Sequence, residues 1–202
     1  MRGSFDLRHK VAATLLGLLL LFGSFWTIVA DEKKPLTAIL VTARSHLRDS
    51  SFADSQVLVM NNLGASPVGV IVNRPTQLPV SRLFPDLKSL AKVRERLYFG
   101  GPVDLESVWF LFRATKRQEH AMEELDGVYI SANRALLRQL LGRAKPMDGL
   151  RIFIGHAGWG PGQLEAEISR GEWTVHRAEP DAIFNGKSDH PWPSPDPQGP
   201  TT

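Results

Sequence analysis

The 202-residue chain contains no cysteine. That excludes disulfides, Cys-ligated zinc, iron–sulfur clusters and thiol catalysis. It also excludes a lipid anchor attached through a cysteine. An excess of one charge sign is missing as well: 24 Lys+Arg stand against 21 Asp+Glu, a net +3. So small a surplus does not suggest a dedicated nucleic-acid protein. The six histidines, His9, His46, His120, His156, His176 and His190, form no His-x-x-x-His or similar pair. No metal and no cofactor are expected. Internal repeats are absent too. Hydrophobic residues make up 43% and charged residues 22%, close to ordinary globular usage, so a packed domain is expected.

The longest uncharged run lies near the N-terminus. Residues 11–30 carry no charge and are rich in leucine, with Arg2, Arg8 and Lys10 before them and Asp31-Glu32-Lys33-Lys34 directly after. A basic flank followed by an apolar run is the pattern of an export signal. Ile28-Val29-Ala30 offers a cleavage site, although Ile28 is bulky for one. The run also matches the roughly 20 residues of a membrane-spanning helix, and Trp26 suits the aromatic belt of a retained anchor. Residues 1–30 are therefore expected to be a signal peptide or an N-terminal membrane anchor. Either one places residues 31–202 outside the cytoplasm, in the periplasm or held at the inner membrane. Removing 1–30 leaves 21 basic and 20 acidic residues. At the other end, Pro191, Pro193, Pro195, Pro197 and Pro200 interrupt both sheet and helix. Residues 186–202 are expected to be a disordered tail.

Between these ends, residues 31–185 read as one α+β domain. Short apolar runs rich in β-branched residues predict strands at 37–42, 56–60, 68–72, 97–99, 108–112, 127–131 and 150–154. Leu136, Leu137, Leu140 and Leu141 at helical spacing predict a helix over 133–141, ended by Gly142. A second helix is predicted from Pro161 to Gly171, and a weaker one over 81–93, interrupted by Pro85. Few strands are separated by a full crossover helix, which favours a mixed sheet over a doubly wound parallel one.

Four segments carry unusual chemistry: Arg48 to Phe52, Gly69 to Pro75, Phe99 to Val103, and Gly155 to Glu165 with Trp173 soon after. The last three, in this order, resemble the YqgE/AlgH family of bacterial proteins. The resemblance covers roughly residues 36–185. It implies an α+β fold whose mixed sheet is curled into a split partial barrel with a few flanking helices. It implies no settled activity, and its link to transcription is by name. Family members usually carry an acidic residue and a histidine where this chain has Met60-Asn61-Asn62, a departure that leaves no such pair at that place.

The candidate ligand-binding residues are Asn73, Arg74, Gly100, Gly101, His156 and Trp159, all expected at strand ends or turns, where loops carry function. Arg74 has a forked donor set suited to carboxylate or phosphate; a structural turn with an Arg ion pair is the competing reading. Gly100-Gly101-Pro102 offers backbone N–H groups to an anion or simply makes a tight turn; it is no phosphate-loop or dinucleotide signature. His156 is placed where a general base is useful, yet no nucleophile lies in its motif. Glu165 and Glu167, two apart, do not share a helix face.

The expected function is a non-enzymatic binding or accessory protein whose partner is a small anion or another protein. The alternatives are a hydrolase using His156 with Asp49, Ser50 or Ser51, and a transcription-related regulator. Nucleic acid is not an expected partner. Acidic residues at 119, 123, 124 and 126 offset the basic ones nearby, and an exported chain is removed from the genome.

Overall fold

The computed structural model describes residues 38–60 and 66–185. The expected signal or anchor, the tail, and Asn61 and Asn62 lie outside the described residues. Among those described there are ten strands and three α-helices: β1 (Ala38–Ala43), β2 (Gln56–Met60), β3 (Val68–Ile71), β4 (Pro75–Pro79), β5 (Arg96–Phe99), β6 (Val103–Arg113), β7 (Met122–Leu125), β8 (Val128–Ser131), α1 (Arg134–Leu141), β9 (Leu150–Gly158), α2 (Gln163–Ser169), β10 (Trp173–Arg177) and α3 (Pro180–Asn185).

The strands form one sheet in the order β10-β1-β2-β3-β9-β6-β8-β7, with β4 on β5 and β5 on β9. Every ladder is antiparallel except β5 with β9. The sheet is curled into a half-barrel, an α+β fold. Alternation along the strands gives it apolar residues on both faces. Leu58, Met60 and Val70 of one half share a buried cluster with Leu111, Val128, Ile130 and Phe153 of the other. The opposite face is covered in two parts. Leu136, Leu137, Leu140 and Leu141 of α1 pack on Phe110, Phe112 and Ile152. Leu164 of α2 packs with Val41, Val57, Val59 and Ile71.

Helix α1 starts where expected. Asn133 Oδ1 accepts the Leu136 N–H at 2.9 Å, an N-cap bond that satisfies one orphan donor. Helix α2 starts at Gln163, two residues later than Pro161. Gly162, in the left-handed region at φ +72°, precedes it, and Gly171 follows its end at φ +74°.

The structure departs from the sequence reading in four places. The expected helix over 81–93 is absent. Two 3-10 turns, Val80–Arg82 and Lys88–Leu90, flank Pro85 instead, because proline supplies no N–H to a helix interior. Strand β6 is longer than 108–112. Strand β9 continues through Gly155 and His156, so these residues are within a strand rather than after it. Finally, β4, β7 and β10 have no counterpart in the strands expected from sequence.

Candidate functional site

The segment between β1 and β2 is the hinge of the site. Its 3-10 turn over Ser50–Phe52 is capped by Asp49, whose Oδ1 accepts the Ser51 N–H at 2.8 Å. Asn73 and Arg74, just beyond β3, reach back to hold this segment. Asn73 Oδ1 accepts the Gln56 N–H at 2.9 Å, and its Nδ2 donates to Asp54 O at 2.8 Å. Arg74 is 4% exposed, and its two terminal nitrogens donate to the carbonyls of Ser51 and Ala53. Burial pushes the Arg74 pKa down to about 10, against the pull of Asp54, so the group stays cationic at neutral pH.

The grip aims Phe52 inward. Its ring stacks on Trp159 at 6.1 Å and meets Trp173 edge-on at 5.8 Å, while the two indoles lie 6.0 Å apart. One carboxylate organises the cluster. Glu167 Oε2 accepts both indole N–H groups, from Trp159 at 3.0 Å and Trp173 at 2.8 Å, and Oε1 accepts Gln163 Nε2 at 2.9 Å. Sequence spacing sets Glu167 only against Glu165 and misses this role. Glu167→Ala is expected to leave two buried indole donors unsatisfied and to cost about 2–4 kcal/mol. Glu167→Gln, which keeps an acceptor oxygen, should cost less. Urea unfolding followed by tryptophan fluorescence checks both.

Over this cluster opens a cavity of about 220 Å³. Phe52, Trp159, Trp173, Glu167 and Glu172 line it together with Leu47, Arg48, Asp49, Pro102, Val103, Gly158, Gln163 and Arg170. Glu172 is buried, with its Oε1 2.7 Å from Arg170 Nε and 3.9 Å from Arg48 Nε. The Arg170 hydrogen bond holds the Glu172 carboxyl below the usual carboxylate range.

Of the six residues singled out from sequence, Trp159 lines this cavity. Asn73 and Arg74 stand behind it and shape it through the Ser50–Phe52 turn. Gly100 and Gly101 belong to a backbone crossing. Gly100 N–H donates to Ile154 O, and its carbonyl accepts the Ile71 N–H, both at 2.8 Å, so that peptide hydrogen-bonds within the fold. The crossing positions Pro102 and Val103 at the cavity's edge.

His156 has a different neighbourhood. Gly155, at φ +67°, interrupts the β6–β9 register between Ile154↔Val108 and His156↔Val103. The His156 ring sits 5.4 Å from Trp109, and its Nδ1 is buried without a hydrogen-bond partner. Neither Asp49, Ser50 nor Ser51 orients the ring through that atom, as an activated base would require. Desolvation lowers the His156 pKa below 6.5, with Asp104 opposing. A native pKa below the unfolded one means the unfolded chain binds the proton first. Stability from this group is therefore full above pH 6.5 and lost as pH falls from there through the native value. His156→Gln should flatten the stability–pH curve below about pH 6.5, as measured by urea midpoints.

Arg134 and Arg138, the most regular basic pair, both lie over the Phe84 ring, at 4.6 and 5.4 Å. Arg134 also bonds Leu83 O, and Arg138 pairs with Asp86. Among the described residues no three His, Asp or Glu side chains are grouped to hold a metal, and no helix is long and apolar enough to cross a membrane.

Comparison with known proteins agrees with the architecture. A family model described as DUF179, AlgH-like, matches residues 39–194. A UPF0301 protein of Chlorobium luteolum is 33% identical over 167 residues, covering 81% of this chain and 86% of the relative. One from Pelodictyon phaeoclathratiforme is 31% identical, covering 76% and 81%. The solution structure of the AlgH protein from Pseudomonas aeruginosa superposes with a TM-score of 0.62 at 25% identity, covering 74% of this chain and 81% of that one. A crystal structure from Corynebacterium diphtheriae gives 0.61 at 24% identity, covering 75% and 80%.

Proposed function

This chain belongs to the AlgH-like family (DUF179; UPF0301 proteins), and from that premise we propose that it is an exported or membrane-anchored, non-enzymatic binding protein. Its ligand site is the cavity over Phe52, Trp159 and Trp173. One observation carries this reading: the cavity floor is preorganised from three separate parts of the chain, and the Glu167 carboxylate within it already accepts three N–H groups. A floor built this way binds but does not activate. The carboxylate is committed to holding the two indoles and Gln163 in place, and rigid aromatic walls lower the ordering cost of association. The 220 Å³ volume is below the roughly 300–1,000 Å³ of sites for drug-sized ligands, which points to a small molecule.

Export rests on the uncharged run at residues 11–30 behind Arg2, Arg8 and Lys10. Nucleic acid is not a partner in this reading, since Arg134 and Arg138 are engaged with Phe84, Leu83 and Asp86.

The test is thermal melting of the full chain against nucleotides, sugar phosphates, mono- and dicarboxylates, amino acids and metals. A ligand at a hundred times its Kd should raise stability by about 2.7 kcal/mol, and Arg48→Ala should abolish the rise. No shift with any class would move the site's role to a protein partner. Protease added to intact spheroplasts should degrade the domain; protection would overturn export.

A further inference from the structure

Building on the cavity as the binding site, we propose that its ligand is a hydrophobic α-amino acid in its zwitterionic form. Its carboxylate would lie on the Arg48 guanidinium and its ammonium on the Asp49 carboxylate, with its side chain on the aromatic floor.

The groups that remain open to a ligand decide this. At the floor, Glu167 Oε2 holds two indole donors and Oε1 holds Gln163, while Glu172 Oε1 faces Arg170 and Arg48. At the rim, Arg48 is 83% exposed in its side chain, and its ion-pair contact to Glu172 is long, at 3.9 Å. Asp49, its sequence neighbour, accepts one backbone N–H through Oδ1, which leaves Oδ2 to accept from a ligand. Two opposite charges with free hydrogen-bonding capacity therefore line one cavity.

The remaining lining argues against a ligand of single sign. A simple anion drawn to Arg48 and Arg170 also meets Asp49, Glu167 and Glu172 across the same space. A simple cation drawn to those carboxylates meets two guanidinium groups. A zwitterion is complementary at both ends. Phe52, Trp159 and Trp173 on the floor are joined by Leu47 and, at the edge, by Pro102 and Val103, which together give the cavity an apolar surface. A compact apolar or aromatic side chain suits both that surface and the volume.

The experiment titrates the full chain by calorimetry and tryptophan fluorescence with L-phenylalanine and L-leucine. Two controls each lack one charge: 3-phenylpropionate has no ammonium and phenethylamine no carboxylate. The expected result is binding of the amino acids with both controls weaker by about tenfold or more, the size of a lost charged hydrogen bond. Arg48→Ala and Asp49→Asn should each weaken the amino acid by a similar factor. The asparagine introduced by Asp49→Asn keeps the oxygen that caps the turn, so an unchanged melting temperature would separate lost binding from lost folding. Equal binding of 3-phenylpropionate and phenylalanine would overturn the zwitterion and leave the cavity as an anion site. No binding of any of the four overturns this proposal. The cavity reading itself falls only if the wider melting panel is silent as well.

Discussion

Gly101→Ala is expected to be the most damaging single substitution in the domain, costing about 4 kcal/mol or more and leaving little soluble protein. A Cβ on Gly101 would lie 2.3 Å from both the carbonyl carbon and oxygen of His156, and 2.5 Å from Ala157 N. Those are backbone atoms of a central strand and cannot swing aside as a side-chain end can. Neighbouring Gly100 is as tight, with its Cβ position 2.3 Å from Gly155 O. Relief would require β9 to move away from the β5–β6 connection, which would break its ladders with β5 and β6. Gly142→Ala is the control: its Cβ would meet Gln139 O at 3.4 Å, and its φ of −77° suits alanine. Urea unfolding of the two variants side by side should show a near-unchanged midpoint for Gly142→Ala and a collapsed one for Gly101→Ala.

Arg74→Ala is the second large effect, expected at about 3–5 kcal/mol from two lost bonds to a charged donor. The carbonyls of Ser51 and Ala53 would be left without their guanidinium donors. The loss should spread beyond the residue itself, because the segment it holds carries Phe52 into the tryptophan cluster. Tryptophan emission should shift to the red, and any ligand of the cavity should bind more weakly. Arg74→Lys keeps the charge but lacks the planar fork that reaches two carbonyls at once. It should recover about half of the stability. A full recovery would show that charge rather than geometry holds the turn.

The strands with strong apolar character were legible in the sequence. So were α1, with its four leucines, and α2, with Gly171 beyond its end. The edge and junction elements were not. Strand β4 begins and ends in proline, a pattern tolerated where backbone donors are not all required. Strand β7, Met-Glu-Glu-Leu, has no clean alternation, and β10 exposes Val175, His176 and Arg177 at an edge. The glycines from 155 to 160 read as a loop because glycine usually marks one. Here Gly155 serves close backbone approach within a strand.

The candidate site was partly legible. Trp159 and the Arg48 to Phe52 segment stand out in the sequence. Arg74 reads there as a ligand donor or a turn residue, and its reach across 23 positions to Ser51 has no local signature. Glu167 is hidden for the same reason: its indole partners lie eight positions before it and six after, joined only once the chain has folded.

Strand β9 pairs with β3, β5 and β6, yet it begins at residue 150. A ribosome producing roughly 5–20 residues per second makes everything up to that point first. During that interval the earlier strands lack the seam that joins them, and non-local pairing of this kind is slow to form. Synthesis order and topology together postpone closure of the sheet until the last quarter of the chain has been made.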